Sequence, residues 1–464
     1  MLLIRNAKII DGTGAPERHG DVLVSGKSIS AIGNFPNKNA ETVIEGLGAR
    51  LVPGFINIRM ETADTTDILT NPAQVAARAT GFTTQISGGD GTALAPLLYG
   101  SLEPFRKWGC TEPMNINWHT LLEFKKVISH LPLRTNFGTF AGYNAVRRDI
   151  MQSHAGDPTD KEQGVILSVL EQAVEEGAHG VAINLNTAHG RKISHEEVRG
   201  AARLAAKINR PLALRLRAQR EHFMEAAQEA LTLYQSTGVR MLITDFLPNA
   251  LMKAQEKDFL RAYELLKNAG NGLYMEIRLE ENRLVPLYEF LPRFAQEGTI
   301  ETMAALTRNK NQQKKILACL PRLEGARIAR MPREHARLIG VTLESFAHDR
   351  SMTAKEALLE LMRITRLVGA IAVPQELTPL HEELIKNDRM LVTGSPQSIF
   401  AVADRARLPI ETAIMKLTAL PAAFLGMNKR GIIAENCAAD LALMDDRNTI
   451  TRTIVNGGNK GTFV

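Results

Sequence analysis

The chain has 464 residues, 44% of them hydrophobic and 23% charged, which is an ordinary globular composition and enough for one large domain plus a smaller one. The net charge of +6 is mild and predicts no nucleic-acid partner, and no apolar run approaches the 20 residues of a membrane span. Three scattered cysteines without zinc or redox spacing, and a charge at position 5, indicate a cytoplasmic protein without a secretion signal.

Both ends of the chain are predicted to form short strands. Residues 1–52 contain apolar runs at 21–24 and 28–32 that flank Ser25-Gly26, a hairpin signal. Residues 428–464 return to the same pattern of short strands and turns. A β-module of this size needs a partner layer to be stable. We therefore expect the two ends to pair in one small composite β-sandwich.

Residues 53–427 alternate between short apolar runs and amphipathic stretches. The ten candidate strands are 55–60, 83–88, 114–118, 135–140, 179–185, 211–216, 239–245, 272–278, 368–373 and 389–393. Candidate helices follow several of them, at 162–176, 196–208, 221–237, 250–268 and 353–366. Repeated βα units predict a parallel sheet. Ten candidates predict an α/β (β/α)₈ TIM barrel with one or two false strands, and an open doubly wound sheet is the alternative.

A mostly helical insertion is predicted at about residues 279–365. It carries a basic run from Arg308 to Arg337, with nine basic residues and two acidic ones. No aromatic residue interleaves with these charges, so a base-stacking surface is not expected. Solvated helix faces are the simplest interpretation, and a docking surface for an acidic protein partner is the alternative.

The stretch from Leu51 to Glu61 is the strongest site signal in the chain. It sets β-prone residues around Pro53-Gly54 and then places charges at Arg59 and Glu61. Alternation at period two puts both side chains on one face of a strand. Two charges at the end of a buried strand indicate a functional site, and a structural ion pair is the alternative.

The chain resembles the D-aminoacylase, or N-acyl-D-amino-acid deacylase, group of the amidohydrolase superfamily. The resemblance is carried by Ile4-Arg-Asn-Ala-Lys-Ile-Ile-Asp-Gly-Thr-Gly-Ala-Pro16, by Lys416-Leu-Thr-Ala-Leu-Pro-Ala-Ala-Phe-Leu-Gly426, by Ala438-Ala-Asp-Leu441 and by Leu338-Ile-Gly-Val-Thr-Leu343 in the insertion. It implies a TIM barrel that hydrolyses carbon–nitrogen amide bonds at a zinc site held by histidines, a cysteine and acidic residues.

The resemblance also places unusual residue types at the family's metal positions. These positions hold Arg59, Glu61, Asp90, Asn186, Arg215 and Asp245, and Arg217 follows two residues after Arg215; all seven are candidates to contact a ligand. Tyr143 stands where the family has a histidine, and Ser395 lies near its general-base aspartate, with no carboxylate in register. Arginine has five donors and no acceptor, so it cannot bind a metal. We therefore expect a degenerate site with no zinc and no other cofactor.

An ion-pair network is the arrangement that we expect in place of the metal. Arg59 and Arg215 would supply positive charge at the barrel mouth, balanced by Glu61, Asp90 and Asp245, because buried charges persist only when they are paired. The alternative is that each side chain has found an unrelated partner. His189, in a loop after a predicted strand, is a further ligand candidate, although such a histidine is more often solvated.

Three functions stay open at this point. The first is a non-hydrolytic protein that binds a small carboxylate ligand through its arginines, or a protein partner. The second is an active amide hydrolase whose carboxylates hold another metal or act as general base. The third is a scaffold that docks through the basic insertion. The sequence leaves enzymatic activity and oligomeric state undecided.

Overall fold

The computed structural model describes residues 1–99, 102–109, 116–152, 156–187, 189–217, 222–247 and 253–464. Cys110, the first part of the predicted strand 114–118 and the predicted helix start at 250–252 lie outside these residues.

The described residues form nineteen strands. In chain order they are β1 (Leu2–Ile9), β2 (Arg18–Ser25), β3 (Ser28–Gly33), β4 (Thr42–Glu45), β5 (Arg50–Pro53), β6 (Phe55–Asn57), β7 (Phe82–Ser87), β8 (Asn136–Thr139), β9 (Ala141–Gly142), β10 (Val181–Asn184), β11 (Leu212–Arg215), β12 (Met241–Thr244), β13 (Leu273–Leu279), β14 (Asn282–Pro286), β15 (Arg327–Arg330), β16 (Ala370–Pro374), β17 (Met390–Gly394), β18 (Leu441–Met444) and β19 (Ile450–Ile454).

The same residues form eighteen α-helices. They are α1 (Thr62–Thr65), α2 (Asp67–Thr70), α3 (Val75–Ala79), α4 (Glu103–Arg106), α5 (Leu121–Ser129), α6 (Tyr143–Met151), α7 (Asp160–Glu175), α8 (His195–Lys207), α9 (Phe223–Thr237), α10 (Lys253–Lys267), α11 (Ile300–Leu306), α12 (Lys310–Cys319), α13 (Leu343–His348), α14 (Ala354–Ile364), α15 (Pro379–Leu384), α16 (Pro396–Arg405), α17 (Ile410–Leu417) and α18 (Ala419–Leu425). Short 3₁₀ turns lie at Gly190–Lys192, Leu287–Phe290, Arg293–Ala295, Arg333–Leu338 and Asn456–Gly458. Among the described helices, none has the length and apolar character needed to cross a bilayer.

Strands from the two ends of the chain share one seven-stranded sheet. Its order is β19-β18-β5-β1-β2-β3, and β4 also pairs with β1. β18 joins the ends by pairing antiparallel with β5, with Leu441 opposite Pro53 and Met444 opposite Arg50. The predicted hairpin at Ser25-Gly26 is the β2–β3 pair. An apolar core of its own, which includes Ile4 and Leu443, stabilises this module.

The barrel consists of eight parallel strand positions. One run of pairs joins β6, β7 and β8, and a second joins β9 through β13 to β17. β8 and β9 are two parts of one strand position, separated by Phe140. Each position contributes one residue to a common interior cluster: Ile56, Ile86, Phe140, Ala182, Ala213, Leu242, Tyr274 and Leu391. Phe424 of α18 fills the lower end of this interior, with its ring 5.1 Å from that of Tyr274. The strands' carboxyl ends are left to form the site.

Two of the ten predicted strands are not part of the barrel. Residues 116–118 are not a strand, and the candidate at 368–373 overlaps β16, which pairs antiparallel with β14 and β15 in a separate sheet. The prediction for 368–373 was wrong because a short apolar run beside a glycine suits a barrel strand and an antiparallel strand equally well. Capping boxes formed by Ser194 with Glu197 and by Thr353 with Glu356 begin α8 and α14.

The insertion is a compact unit of α11 to α14 on the β14-β16-β15 sheet, with its own apolar core. Because β16 pairs with β14, the insertion extends to Pro374, beyond its predicted end at about residue 365. Arg330 of the basic run pairs with Asp64 of α1, so this charge contacts the barrel domain and is not simply solvated. Other basic residues, such as Arg322 and Arg327, are exposed. Docking of an acidic partner on them stays a prediction.

Candidate ligand cavity and its ion-pair network

A cavity of about 600 Å³ opens at the carboxyl ends of the barrel strands. Residues that follow β6, β7, β10, β11 and β12 form its floor and walls, and residues 283–303 of the insertion and its approaches cover it. This is the end of a TIM barrel where ligand sites gather, because the loops after the strands meet there.

Arg59 lies at the centre of the floor. Its side chain is only 2% exposed and follows the end of β6 at Asn57. The guanidinium makes a bidentate pair with Glu276 of β13, with Nε 3.0 Å from Oε2 and Nη2 3.1 Å from Oε1. Asp90 lies 3.4 Å from Nη1, and Asp245 lies 3.8 Å from Nη2. Burial lowers the pKa of Arg59, but these three carboxylates outweigh it and hold the pKa above its ordinary value.

A glycine turn after β7 makes room for this arginine. Gly88 and Gly91 have positive φ angles of 80° and 73°, and Gly91 N–H donates to the Gly88 carbonyl at 3.0 Å. A Cβ atom on Gly89 would lie 3.0 Å from Cγ of Arg59. This turn therefore both presents Asp90 and leaves space for the aliphatic part of the Arg59 side chain.

Asp245 connects Arg59 to two further arginines. Its Oδ2 accepts hydrogen bonds from Arg215 Nη2 at 2.6 Å and from Arg283 Nη2 at 3.0 Å. Its own backbone N–H donates to Oε2 of Glu276 at 2.7 Å, from a backbone with φ of 51°. Burial alone raises the pKa of Asp245, but Arg283 and Arg215 outweigh it and hold the pKa below the usual range of a carboxyl.

Four of the five residues predicted for the ion-pair network share it. Arg59, Asp90, Arg215 and Asp245 are linked as described, and Arg215 also approaches Asp90 at 4.0 Å. Glu61 is the exception, because it pairs with Arg278 of β13. The prediction that Arg59 and Glu61 alternate on one strand face was wrong: β6 ends at Asn57, and Glu61 already precedes α1.

Three charged residues at the site are not predicted from the sequence: Glu276 and Arg283, which belong to the network, and Arg278, which pairs with Glu61. A signal existed for Glu276 and Arg278, because they alternate with Tyr274 along a strand that is otherwise apolar and buried. Glu276 is fully buried and also accepts a hydrogen bond from the Thr393 hydroxyl. Arg283 belongs to the insertion, and no local pattern connects it to Asp245.

His189 and Asn186 follow β10 and lie at the cavity walls. His189 is exposed and lines the main cavity, and partial desolvation and the Lys107 ammonium lower its pKa. Asn186 lines a smaller adjoining cavity, and its carbonyl accepts a hydrogen bond from Arg191 at 2.7 Å. The structure therefore places both within reach of a ligand, whose contacts with them stay a prediction.

Tyr143, Arg217 and Ser395 lie away from the described lining of both cavities. Tyr143 is buried, with its hydroxyl 2.9 Å from Glu197 on α8. Arg217 makes a bidentate pair with Glu229, at 3.0 and 3.2 Å. The Ser395 hydroxyl accepts a backbone hydrogen bond at the start of α16. These contacts are structural, and the direct ligand contacts expected for the three residues have no geometric support.

The main cavity presents an excess of positive charge. Its wall includes five carboxylates, at Glu61, Asp90, Asp245, Glu289 and Glu297. It also includes eight cationic side chains, at Arg59, Lys107, Arg147, Arg148, Lys192, Arg215, Arg278 and Arg283. Carboxylates that pair with three of these arginines lie behind the wall, at Glu276, Glu197 and Asp149. With these three included, the carboxylates equal the cations in number, and the cations are the more numerous of the two within the lining itself. Trp108, Leu284 and Met303 add apolar area.

Comparison with known proteins gives matches over nearly the whole chain. No protein-family model matches. An N-acyl-D-aspartate deacylase of Alcaligenes xylosoxydans xylosoxydans is 25% identical over 96% of this chain and 86% of the relative. Among solved structures, the N-acyl-D-glutamate deacylase of Bordetella bronchiseptica, complexed with zinc and a phosphonate inhibitor, matches with a TM-score of 0.80 at 20% identity, covering 100% of this chain and 98% of that one.

A D-aminoacylase, described as defining a subset of amidohydrolases, matches with a TM-score of 0.79 at 20% identity, over 100% of this chain and 97% of that one. The resemblance predicted from the sequence motifs is confirmed by the relatives. The predicted TIM-barrel fold is confirmed by the solved structures.

Proposed function

We propose that this chain, which resembles the D-aminoacylase group of the amidohydrolase superfamily from end to end, binds a small carboxylate ligand in its barrel cavity and does not carry out zinc-dependent hydrolysis. Its known relatives are named as deacylases, and one of them is described with zinc bound. The chain can share the fold of these relatives without sharing their chemistry, because a fold by itself does not establish an activity.

The donor set at the floor of the cavity does not fit zinc. Zinc requires lone pairs from imidazole, thiolate or carboxylate groups in a tetrahedral arrangement. Asp90, Asp245 and Glu276 surround Arg59, whose guanidinium has only donors and takes up their oxygens at 3.0 to 3.8 Å. Within the described ranges, no group of three or more histidine, cysteine, aspartate or glutamate side chains is arranged to hold a metal.

The Arg59–Glu276 pair is the observation that carries this proposal. A fully buried carboxylate in bidentate contact with a fully buried guanidinium is a stable unit only if both partners stay charged and in place. Replacement of Arg59 by a metal would require the arginine side chain to leave a space that Gly89 keeps open for it.

The charge of the wall supports an anionic ligand. Arg148 pairs with Asp149 at 2.8 Å and Lys192 pairs with Glu297 at 3.5 Å. Both line the cavity, and their side chains are still 32% and 44% exposed, so a ligand can contact them beside these carboxylates. Arg283 donates a hydrogen bond from one guanidinium nitrogen to Asp245 and also lines the cavity. Charge-assisted hydrogen bonds from such groups to a carboxylate are among the strongest in proteins. Trp108 and Met303 provide apolar contact for an acyl group.

The experiment combines metal analysis, binding and turnover on protein purified without chelator. We expect substoichiometric zinc, no hydrolysis of N-acetyl-D-glutamate above background and saturable binding of that compound in calorimetry. Arg148→Gln with Lys192→Gln should weaken binding, whereas Lys310→Gln on the exposed start of α12 is the matched control. One zinc per chain with turnover that a chelator abolishes would overturn the proposal, and so would the absence of any carboxylate binding.

A further inference from the structure

One segment of the insertion carries the whole net charge of the chain. Residues 301–370, which we call the basic segment, contain 13 lysine and arginine residues and seven aspartate and glutamate residues. The complete chain has 56 basic and 50 acidic residues, which leaves 43 of each sign outside the basic segment. A charge excess confined to one unit creates a local positive field that attracts acidic partners to that unit.

Few of these cations are neutralised by carboxylates. Arg363 pairs with Glu360 at 2.7 Å, and Arg330 pairs with Asp64. In the described part of the chain, the remaining lysines and arginines of the basic segment form no ion pair. Acidic side chains nearby serve the backbone instead, as where Glu344 accepts a backbone N–H at 2.7 Å. The positive charge of the segment is therefore available to a partner.

One exposed turn gathers several of the unpaired arginines. Arg333 and Arg337 belong to the 3₁₀ turn that follows β15, and both are exposed. Arg327 on β15 is exposed as well, and its Nη1 donates to the Gly340 carbonyl, just beyond the turn, at 3.2 Å. The Gly340 N–H in return donates to the Ile328 carbonyl at 2.8 Å. These bonds hold the strand and the turn side by side, so the three guanidiniums extend from neighbouring backbone.

The same turn also meets the end of α14. The His335 ring lies 3.3 Å from the Ile364 carbonyl, and the exposed Arg366 follows two residues later. Glu334 is the one acidic residue within the turn. We call the surface that these residues share the arginine patch; its cations are Arg327, Arg333, Arg337 and Arg366.

An apolar side chain is exposed within the arginine patch. Ile339 follows the turn and is 49% exposed, beside Gly340, which has no atom within 4 Å of its Cβ position. A lone exposed isoleucine is ordinary, but arginine with apolar area is the composition of protein interfaces, where lysine is depleted. Arginine also pairs with carboxylates in bidentate geometry. Residues 327–340 contain no phenylalanine, tyrosine or tryptophan on which a nucleic-acid base could stack.

We propose that the arginine patch docks an acidic segment of another protein, in which carboxylates alternate with apolar side chains. The carboxylates would pair with the four arginines, and an apolar side chain would cover Ile339. None of the four arginines belongs to the described lining of either cavity. The docking surface is therefore independent of ligand binding in the barrel, and either can fail without the other.

Fluorescence anisotropy with a labelled peptide of four Glu-Glu-Leu repeats tests the proposal on the full chain. We expect a Kd of roughly 100 µM or below at low salt, and weaker binding as salt is added, because exposed charge pairs are screened. Peptides of four Gln-Gln-Leu repeats, without charge, and of four Glu-Glu-Gly repeats, without apolar side chains, should bind roughly fivefold more weakly or less well still. A single-stranded oligothymidine of similar charge should also bind more weakly than the Glu-Glu-Leu peptide.

Charge reversal locates the binding surface. Arg333→Glu with Arg337→Glu should weaken binding of the Glu-Glu-Leu peptide roughly tenfold or more, because two attractive charges become repulsive. Arg333→Lys with Arg337→Lys should retain part of the affinity, since the charge stays and the bidentate geometry is lost. Arg203→Glu with Lys257→Glu, at exposed positions on α8 and α10, makes the same change in net charge and should retain all of it. Unchanged urea midpoints would show that the variants fold.

The apolar contribution has its own pair of variants. Ile339→Ser should weaken binding of the Glu-Glu-Leu peptide roughly threefold or more, because its exposed half no longer adds apolar contact. Leu47→Ser, at a side chain of the β-module that is 87% exposed, should leave the affinity unchanged.

Several results would overturn the docking surface. Absence of peptide binding would do so, and equal losses in the two charge-reversal variants would show that binding follows net charge alone. Tighter binding of oligothymidine would assign the patch to nucleic acid. Salt-sensitive self-association of the free chain in sedimentation, abolished by Arg333→Glu with Arg337→Glu, would assign it to a second copy. None of these results affects the calorimetric test of carboxylate binding in the barrel.

Discussion

Glu276→Gln is the sharpest probe of the network, because it removes one charge and keeps the shape of the side chain. The carboxylate of Glu276 accepts from four donors: Nε and Nη2 of Arg59, the backbone N–H of Asp245 and the Thr393 hydroxyl. A glutamine amide has one acceptor oxygen, so in either orientation its NH₂ group meets an arginine N–H. Arg59 would keep only Asp90 at 3.4 Å and Asp245 at 3.8 Å.

The expected cost is large. Removal of one partner from a buried ion pair costs about 3–5 kcal/mol, a substantial share of the roughly 5–15 kcal/mol that stabilises a typical protein. Urea unfolding, monitored by tryptophan fluorescence, measures this loss in the free energy of unfolding, and the buried Trp118 reports on the barrel. Glu382→Gln is the matched control: it breaks the surface pair with Arg405 at 2.8 Å and should cost under about 1 kcal/mol.

A double variant separates the buried charge from simple loss of packing. Arg59→Met added to Glu276→Gln removes the guanidinium that the single change leaves uncompensated, so we expect the double variant to be more stable than Glu276→Gln alone. If the free energy of unfolding of Glu276→Gln lies within about 1 kcal/mol of the wild-type value, the Glu276 carboxylate does not hold Arg59 in place, and the ion pair is not the centre of the site.

Three further predictions test the surroundings of the network. The folded-state pKa of Asp245 is lowered, so the unfolded chain takes up a proton at this residue at a higher pH than the folded chain does. The stability that the group contributes is therefore present above about pH 4 and is lost as pH falls further. In urea unfolding from pH 3 to 7, the free energy of unfolding of Asp245→Asn should depend less on acid than that of the wild type, and an unchanged profile would contradict the assignment. Gly89→Ala should cost about 1–3 kcal/mol by displacing Arg59, measured as the change in urea midpoint, whereas Gly164→Ala, in an open position on α7, should be neutral or stabilising. Tyr143→Phe should lower stability by about 0.5–1.5 kcal/mol through its lost hydrogen bond and leave calorimetric affinity for N-acetyl-D-glutamate unchanged; a loss of affinity would place Tyr143 in the ligand site after all.

The sequence was sufficient for the barrel because barrel strands carry a local signature. Eight of the ten candidate strands overlap the eight observed barrel positions, since buried parallel strands are short apolar runs regularly separated by amphipathic helices. It was also sufficient for the residue type at position 59. Arg59 cannot bind a metal in any fold, because the reason lies in the chemistry of its side chain.

Only the tertiary structure decided which charges meet. Arg59 and Glu276 are 217 residues apart, and their contact exists because closure of the barrel brings the ends of β6 and β13 to one mouth. Glu61 carries a suitable charge two residues from Arg59, yet β6 ends at Asn57, and Glu61 pairs with Arg278 instead of joining the network. Pairing between distant charges depends on distances and directions that three-dimensional packing sets, and no pattern of neighbours along the chain encodes them.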